Sequence, residues 1–249
     1  IEYAPKTTFI KDLDALPFPA WDLLRIEEYL SLLPKRSIFA MTSRGCPFRC
    51  IYCSTYLAWG RGIRYRSSEN VLAEIDWLYD EYNIKNVHFI DDNMTANKER
   101  IDSILQGIID RDRKDWTWQA SNFAIKTLSK DTIDLMMRSN MQKVTLAIET
   151  GSQDMQKKIR KNLDLQKAKN VYKWFEEYKQ PIHLNFMIGF PMESKENIFQ
   201  TIELAKNLRA HETQINIVTP WPGTELYDYA MHHNHLDQHI SLDDLDHHK

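Results

Sequence analysis

Two apolar rhythms alternate along the chain. Short apolar runs at 37–42, 86–90, 116–120, 144–148, 182–188 and 214–219 have the length and bounding polar residues of strands. Between them, apolar residues recur three and four positions apart, the spacing of one helix face. Val71, Leu72, Ile75, Leu78 and Tyr79 form one such face, and Ile101, Ile104, Leu105, Ile108 and Ile109 another. Ala168, Val171, Tyr172 and Phe175 form a third. A helix through Met137 and one over 195–208 complete the set. Ser67 or Ser68, Asn97, Ser129 and Asp164 stand where a side-chain oxygen can accept from the first free backbone N–H groups. Asn140 suits a helix end.

Strict alternation of strand and helix implies a parallel sheet with right-handed crossovers, an α/β fold. Six units are too few for a closed eight-stranded barrel, so the pattern predicts an open, partial (β/α)6 barrel over 37–225. Each unusual polar cluster falls just after a strand, on the rim where such folds carry their chemistry. The 249 residues, 43% hydrophobic and 27% charged, suit one globular unit of that size. A net charge of −3 gives no electrostatic reason to expect nucleic acid or an anionic membrane as partner. No apolar run reaches membrane-spanning length. A start at Ile1 rather than methionine suggests a piece of a longer protein.

Candidate chemistry centres on Cys46, Cys50 and Cys53, which lie within eight positions and are the only cysteines. Thiolates are soft ligands, and three this close can converge on one metal site. A structural zinc would want a fourth Cys or His, yet there is no fourth cysteine, and the nearest histidine in sequence is His88. A disulfide with an odd thiol would suit a secreted chain, but no signal peptide is present. The two-cluster ferredoxin run is tighter and has a fourth cysteine. Three ligands on a 4Fe–4S cluster would leave one iron open. Free thiols in such a site point to a reducing, cytoplasmic setting.

The run Cys46-Pro47-Phe48-Arg49-Cys50-Ile51-Tyr52-Cys53 resembles the C-x3-C-x-aromatic-C signature of the radical S-adenosylmethionine (SAM) superfamily. The resemblance implies a 4Fe–4S cluster whose open iron binds SAM, and reductive cleavage of SAM to a 5′-deoxyadenosyl radical. It implies that Tyr52 lies beside the adenine and that Asp91 and Asp92, after the second strand, meet the ammonium of SAM, with helix capping and turn formation as the alternative. Ala147-Ile148-Glu149-Thr150-Gly151-Ser152 resembles the family's wording after strand four, which implies contact of Glu149 with the ribose or methionine portion. Met187-Ile188-Gly189-Phe190-Pro191-Met192-Glu193 resembles the motif that approaches adenine, with Gly189 permitting close approach and Glu193 either taking part or starting the next helix. The turn 219–224 reads as structural, fixed by its prolines and Gly223. Arg61, Arg64 and Arg66 follow the cysteine loop and read as a solvated face, with an anionic substrate or a partner domain as the alternative.

Segment 1–36 contains Leu13, Leu16, Pro17, Phe18, Pro19 and Trp21, too apolar for a free tail. It resembles the connector between a cobalamin-binding domain and the SAM barrel in the superfamily's cobalamin-dependent branch of methyltransferases and anaerobic oxidative cyclases. This implies cobalamin held by a domain not in this chain, a small-molecule substrate, and a reducing partner such as flavodoxin or ferredoxin. Residues 226–249 would begin a C-terminal region, with clustered His232, His233, His235 and His239 read as a solvated tail. Two alternatives stay open: a radical SAM enzyme without cobalamin, performing a rearrangement or dehydrogenation, and a non-enzymatic module held by a metal.

Overall fold

The computed structural model describes residues 9–33, 35–120 and 123–237. In chain order the strands are β1 (Ser37–Ala40), β2 (Ser43–Cys46), β3 (Gly62–Tyr65), β4 (Asn86–Phe89), β5 (Thr117–Ala120), β6 (Val144–Glu149), β7 (Ile182–Ile188) and β8 (Glu212–Ile217). The helices are α1 (Ile26–Leu32), α2 (Thr55–Trp59), α3 (Ser68–Tyr82), α4 (Lys98–Asp110), α5 (Lys130–Arg138), α6 (Gln153–Lys158), α7 (Leu165–Glu176), α8 (Lys195–Leu208) and α9 (Glu225–His232).

The strands pair in parallel as β1-β4-β5 and as β6-β7-β8. A parallel bridge between Trp118 and Met141 joins the two sheets, with Gln142 N donating to Trp118 O at 2.8 Å. The result is an arc of six parallel strands, all anticipated in the sequence. Among the described residues β1 and β8 do not pair, so the arc stays open.

The helices form because capping side chains and apolar stripes agree. Ser67, Asn97, Ser129 and Asp164 each accept from a first-turn N–H, and Asn140, after α5, takes the left-handed conformation. Ile101, Ile104 and Leu105 of α4 are fully buried. Burying each such side chain contributes about 2 kcal/mol. The N-terminal connector is also packed down: Leu13 is 3% exposed, and the Phe18 ring lies 5.6 Å from that of Trp77.

The hairpin of β2 and β3 was not foreseen from the apolar pattern. It pairs Cys46 with Gly62 and Gly45 with Ile63. Gly45 has φ +93°, and a Cβ there would stand 2.5 Å from Gly62 O, so the pairing needs glycine. Arg64 and Arg66, expected to face solvent, instead fasten the connector. Arg64 donates to Ile10 O at 2.8 Å, and Arg66 stacks over Phe18 and pairs with buried Glu74. A second, smaller apolar cluster of Ile51, Met155, Ile159, Phe190, Val218 and Leu226 lies beneath the cysteine loop. Ile51 N donates to Ile159 O, and Leu226 N donates to Ile51 O, so the loop is tied to the end of α6 and the start of α9. At the end of α9, His233 and His235 stack with Tyr229 and His232 meets His233 edge-on, while His239 lies outside the described residues.

Among the described residues no helix is long and apolar enough to cross a membrane.

Candidate functional site

Cys46, Cys50 and Cys53 are free thiols on the wall of one cavity of about 330 Å³. Cys46 closes β2, and the other two sit in the loop before α2. Asp92, just past β4, clamps both ends of that loop. Its Oδ2 accepts from Gly45 N at 3.0 Å, and its Oδ1 accepts from Thr55 Oγ1 at 3.1 Å. Thr55 Oγ1 in turn lies 3.3 Å from Cys53 Sγ. Asn93 Nδ2 approaches Cys46 Sγ at 3.8 Å, and its Oδ1 accepts from Ala124 N. Burial pushes the Cys46 and Cys50 thiols up; the nearby Lys161 ammonium works against this at Cys50.

The same cavity is lined by Glu149, at the end of β6. The β6–β7 register shifts between Ala147 and Glu149, and Glu149 has φ +72°, uncommon for a side chain with a Cβ. Its Oε1 accepts from Lys161 Nζ at 2.7 Å and from Tyr52 Oη at 3.2 Å. The Glu149 and Lys161 side chains are only 12% and 18% exposed, so the pair is mostly shielded from water. Burial first, and the Glu149 charge second, hold the Tyr52 hydroxyl well above its usual range, so it stays a neutral donor. The Tyr52 ring packs edge-on against Phe190 at 6.0 Å.

A second cation, Lys126, also lines the cavity. Its Nζ lies 3.4 Å above the Phe48 ring and donates to Lys161 O at 3.1 Å. Desolvation lowers its ammonium, and the Cys50 and Cys46 thiols act in the opposite sense.

Asp91 does not reach the cavity. It is 1% exposed; its carboxylate accepts from Thr42 N, Thr42 Oγ1 and Ser43 Oγ and fixes the β1–β2 turn. Burial pushes this carboxyl up despite those donors. Its hydrogen bonds leave it a structural role where contact with a ligand ammonium was expected. Gly189 ends β7 with φ +86° and lies outside the cavity wall. Glu193 Oε2 accepts from Gly189 N at 2.6 Å and Phe190 N at 3.3 Å, while Oε1 is buried without a partner. Glu193 therefore closes the turn after β7, and Ser194 caps α8.

Lys161, Lys126, Asn93 and Thr55 escaped sequence reasoning. Lys161 and Lys126 sit in connecting segments with no periodicity to single them out. Asn93 and Thr55 each adjoin or follow a recognised motif, the one local signal available.

The donor set fits a cluster with three thiolate ligands. Among the described residues no three His, Cys, Asp or Glu side chains are grouped to hold a single ion. The three thiols instead line part of a larger cavity, whose lining also carries two carboxylates, Asp92 and Glu149, and two ammonium groups, Lys126 and Lys161. Those charges complement a zwitterionic ligand such as an amino acid.

The Radical SAM superfamily model matches residues 41–205. An uncharacterized methyltransferase, PH0819, of Pyrococcus horikoshii is 35% identical over 93% of this chain and 50% of its own length. The cytidylyl-2-hydroxyethylphosphonate methyltransferase of Streptomyces wedmorensis is 28% identical over 96% of this chain and 47% of its own. The anaerobic magnesium-protoporphyrin IX monomethyl ester cyclase of Rubrivivax gelatinosus is 24% identical over 88% of this chain and 39% of its own. The chain thus spans half or less of the length of these curated relatives. Among solved structures, the radical SAM methyltransferase TsrM of Kitasatospora setae, with cobalamin and a [4Fe-4S] cluster bound, superposes with TM-score 0.67 at 15% identity, over 76% of this chain and 38% of that one. The cobalamin-dependent SAM radical enzyme OxsB, with aqua-cobalamin and SAM bound, gives 0.59 at 16% identity, over 80% and 30%.

Proposed function

The chain belongs to the radical SAM superfamily, and from that premise we propose that it is the SAM-cleaving core of a cobalamin-linked methyltransferase or oxidative cyclase. The observation that carries this reading is the single cavity shared by three thiols and the Glu149–Lys161 pair on the rim of the parallel arc. A 4Fe–4S cluster on Cys46, Cys50 and Cys53 would supply the electron that splits the sulfonium of SAM into methionine and a 5′-deoxyadenosyl radical.

The chain's own residues bind and orient. Lys161 and Lys126 would donate to the carboxylate of SAM, and Glu149 would accept from its ammonium or ribose hydroxyls. Tyr52, held by Glu149 and Phe190, would give one face to the adenine. Asp92 would keep the ligand loop in register rather than touch the ligand itself. Gly189 and Glu193 would shape the neighbouring turn that borders the adenine.

Three observations support the cobalamin branch. The relatives are named as methyltransferases and a cyclase, two cobalamin-bound structures share the fold, and the connector is packed onto the arc through Leu13 and Trp21. In this reading 37–225 is the catalytic core, the connector leads from a cobalamin-binding domain outside this chain, and the substrate is a small molecule. Anaerobic reconstitution with iron and sulfide tests it. The expected result is about four irons per chain, lost in Cys50→Ala, with 5′-deoxyadenosine formed on reduction with SAM. Iron-loaded, reduced protein that forms none refutes it.

A further inference from the structure

Asn93 stands just past β4, between Asp92 and the buried Met94, and is 1% exposed. Its Oδ1 accepts from Ala124 N at 3.3 Å. A backbone N–H only donates, so this bond fixes which end of the amide is oxygen. The Nδ2 end is thereby turned to Cys46 Sγ, at 3.8 Å. The Phe48 backbone N–H is a second donor to the same sulfur.

Among the described residues the other two sulfurs have no committed side-chain donor. Thr55 Oγ1 lies 3.3 Å from Cys53 Sγ, but its single proton goes to Asp92 Oδ1 at 3.1 Å. The Tyr52 hydroxyl is within reach of Cys50, and its single proton goes to Glu149 Oε1 at 3.2 Å. In the run Asp91-Asp92-Asn93, the residue turned to a sulfur is the neutral one. A carboxylate at that position could still accept from Ala124 N, but it would set a negative charge against a thiolate. The Ala124 bond alone does not call for an amide, whereas the sulfur does.

We propose that Asn93 is a positioning residue that raises the reduction potential of the cluster through an N–H···S bond to Cys46. This rests on the cluster reading given above. Reduction brings one electron from an added reductant, which is oxidised by one, with no bond made or broken. The added negative charge is shared with the ligand sulfurs. A donor aimed at such a sulfur favours the reduced state over the oxidised one. Asp92 and Glu149, which line the same cavity, act in the opposite sense. Asn93 therefore offsets part of the cost of reducing a cluster that sits among carboxylates.

The potential of the reconstituted full chain is read by EPR during titration with dithionite and mediators. At a fixed potential, the ratio of reduced to oxidised cluster falls about two- to tenfold in Asn93→Ala. It falls further in Asn93→Asp, and iron content stays at the wild-type value. Asn93→Asp keeps the acceptor for Ala124 N, so a purely structural role would leave it at the wild-type potential. Pulsed EPR on protein labelled with side-chain 15N asparagine separates the contact from the charge. The reduced wild type shows a nitrogen coupling that is absent from Asn93→Asp, which decides the matter if Asn93→Ala fails to hold iron. A wild-type potential in either variant overturns the proposal, as does a labelled wild type without the coupling. Loss of iron in both variants overturns it in favour of a purely structural role. A wild type that takes up no iron contradicts the cluster reading instead.

Discussion

Lys161 Nζ lies 2.7 Å from Glu149 Oε1, in the lining of the cavity that the three cysteines share. The β6 bulge and the left-handed backbone of Glu149 turn its carboxylate into the cavity, and Lys161 meets it from the segment after α6. Lys161→Met leaves a mostly buried carboxylate with Tyr52 alone. The expected loss of stability is about 1–3 kcal/mol, measured by chemical denaturation of the apo chain. Loss of one charge-assisted contact also raises the Kd for SAM about tenfold or more, with iron content unchanged.

Asp91 and Asp92 are adjacent but separable. Asp91→Ala strips the partner from Thr42 N, Thr42 Oγ1 and Ser43 Oγ in a buried turn. It lowers stability by about 3 kcal/mol, and the protein that folds binds SAM with wild-type affinity. Asp92→Ala frees Gly45 and Thr55 at the two ends of the ligand loop, so iron retention falls with little loss of overall stability. Denaturation curves and iron counts on the two variants separate these effects.

Gly151 leaves no room for a side chain. A Cβ there would stand 2.5 Å from Gln200 O and 2.7 Å from Thr201 Cα, both backbone atoms of α8. Gly151→Ala therefore pushes α8 away from the turn that follows Glu149, at a cost of about 1–3 kcal/mol. A thermal melt checks it.

Asp76 gives a pH signature away from the site. Arg111 beside it, through two 2.7 Å contacts, holds its carboxyl below the usual carboxylate range. A lowered folded pKa means the stabilisation is present above the unfolded value near 3.9 and is lost as pH falls through the folded one. Asp76→Asn therefore lowers stability at neutral pH by less than about 1 kcal/mol. The gap between variant and wild type closes as pH falls through the lowered folded pKa, as urea titrations at several pH values would record.

Much of this was legible because local signals agreed. Each of the six parallel strands was an apolar run bounded by polar residues, and Ser67, Asn97, Ser129 and Asp164 capped the helices they precede. The hairpin of β2 and β3 was not, because Ser43-Arg44-Gly45-Cys46 has no apolar alternation and its pairing rests on two glycines. The cysteines stood out by their spacing, and the resemblance pointed to Tyr52 and Glu149, which the fold brings to one cavity with them. Lys126 and Lys161 did not, since a lysine in a connecting segment is ordinary until the fold brings it to a cavity. Asp91 shows the opposite limit: its place after a strand was correctly read, but only tertiary structure reveals that its carboxylate faces the Thr42–Ser43 turn.

The central claim is that Cys46, Cys50 and Cys53 hold a cluster with an iron open to SAM. The most direct test is the EPR spectrum of the anaerobically reconstituted, dithionite-reduced chain, recorded with and without SAM. The account predicts about four irons per chain and a reduced-cluster signal whose shape changes on adding SAM, with the change weakened in Lys161→Met. Identical spectra at saturating SAM in iron-loaded protein would contradict it, as would one tightly held zinc with no uptake of iron.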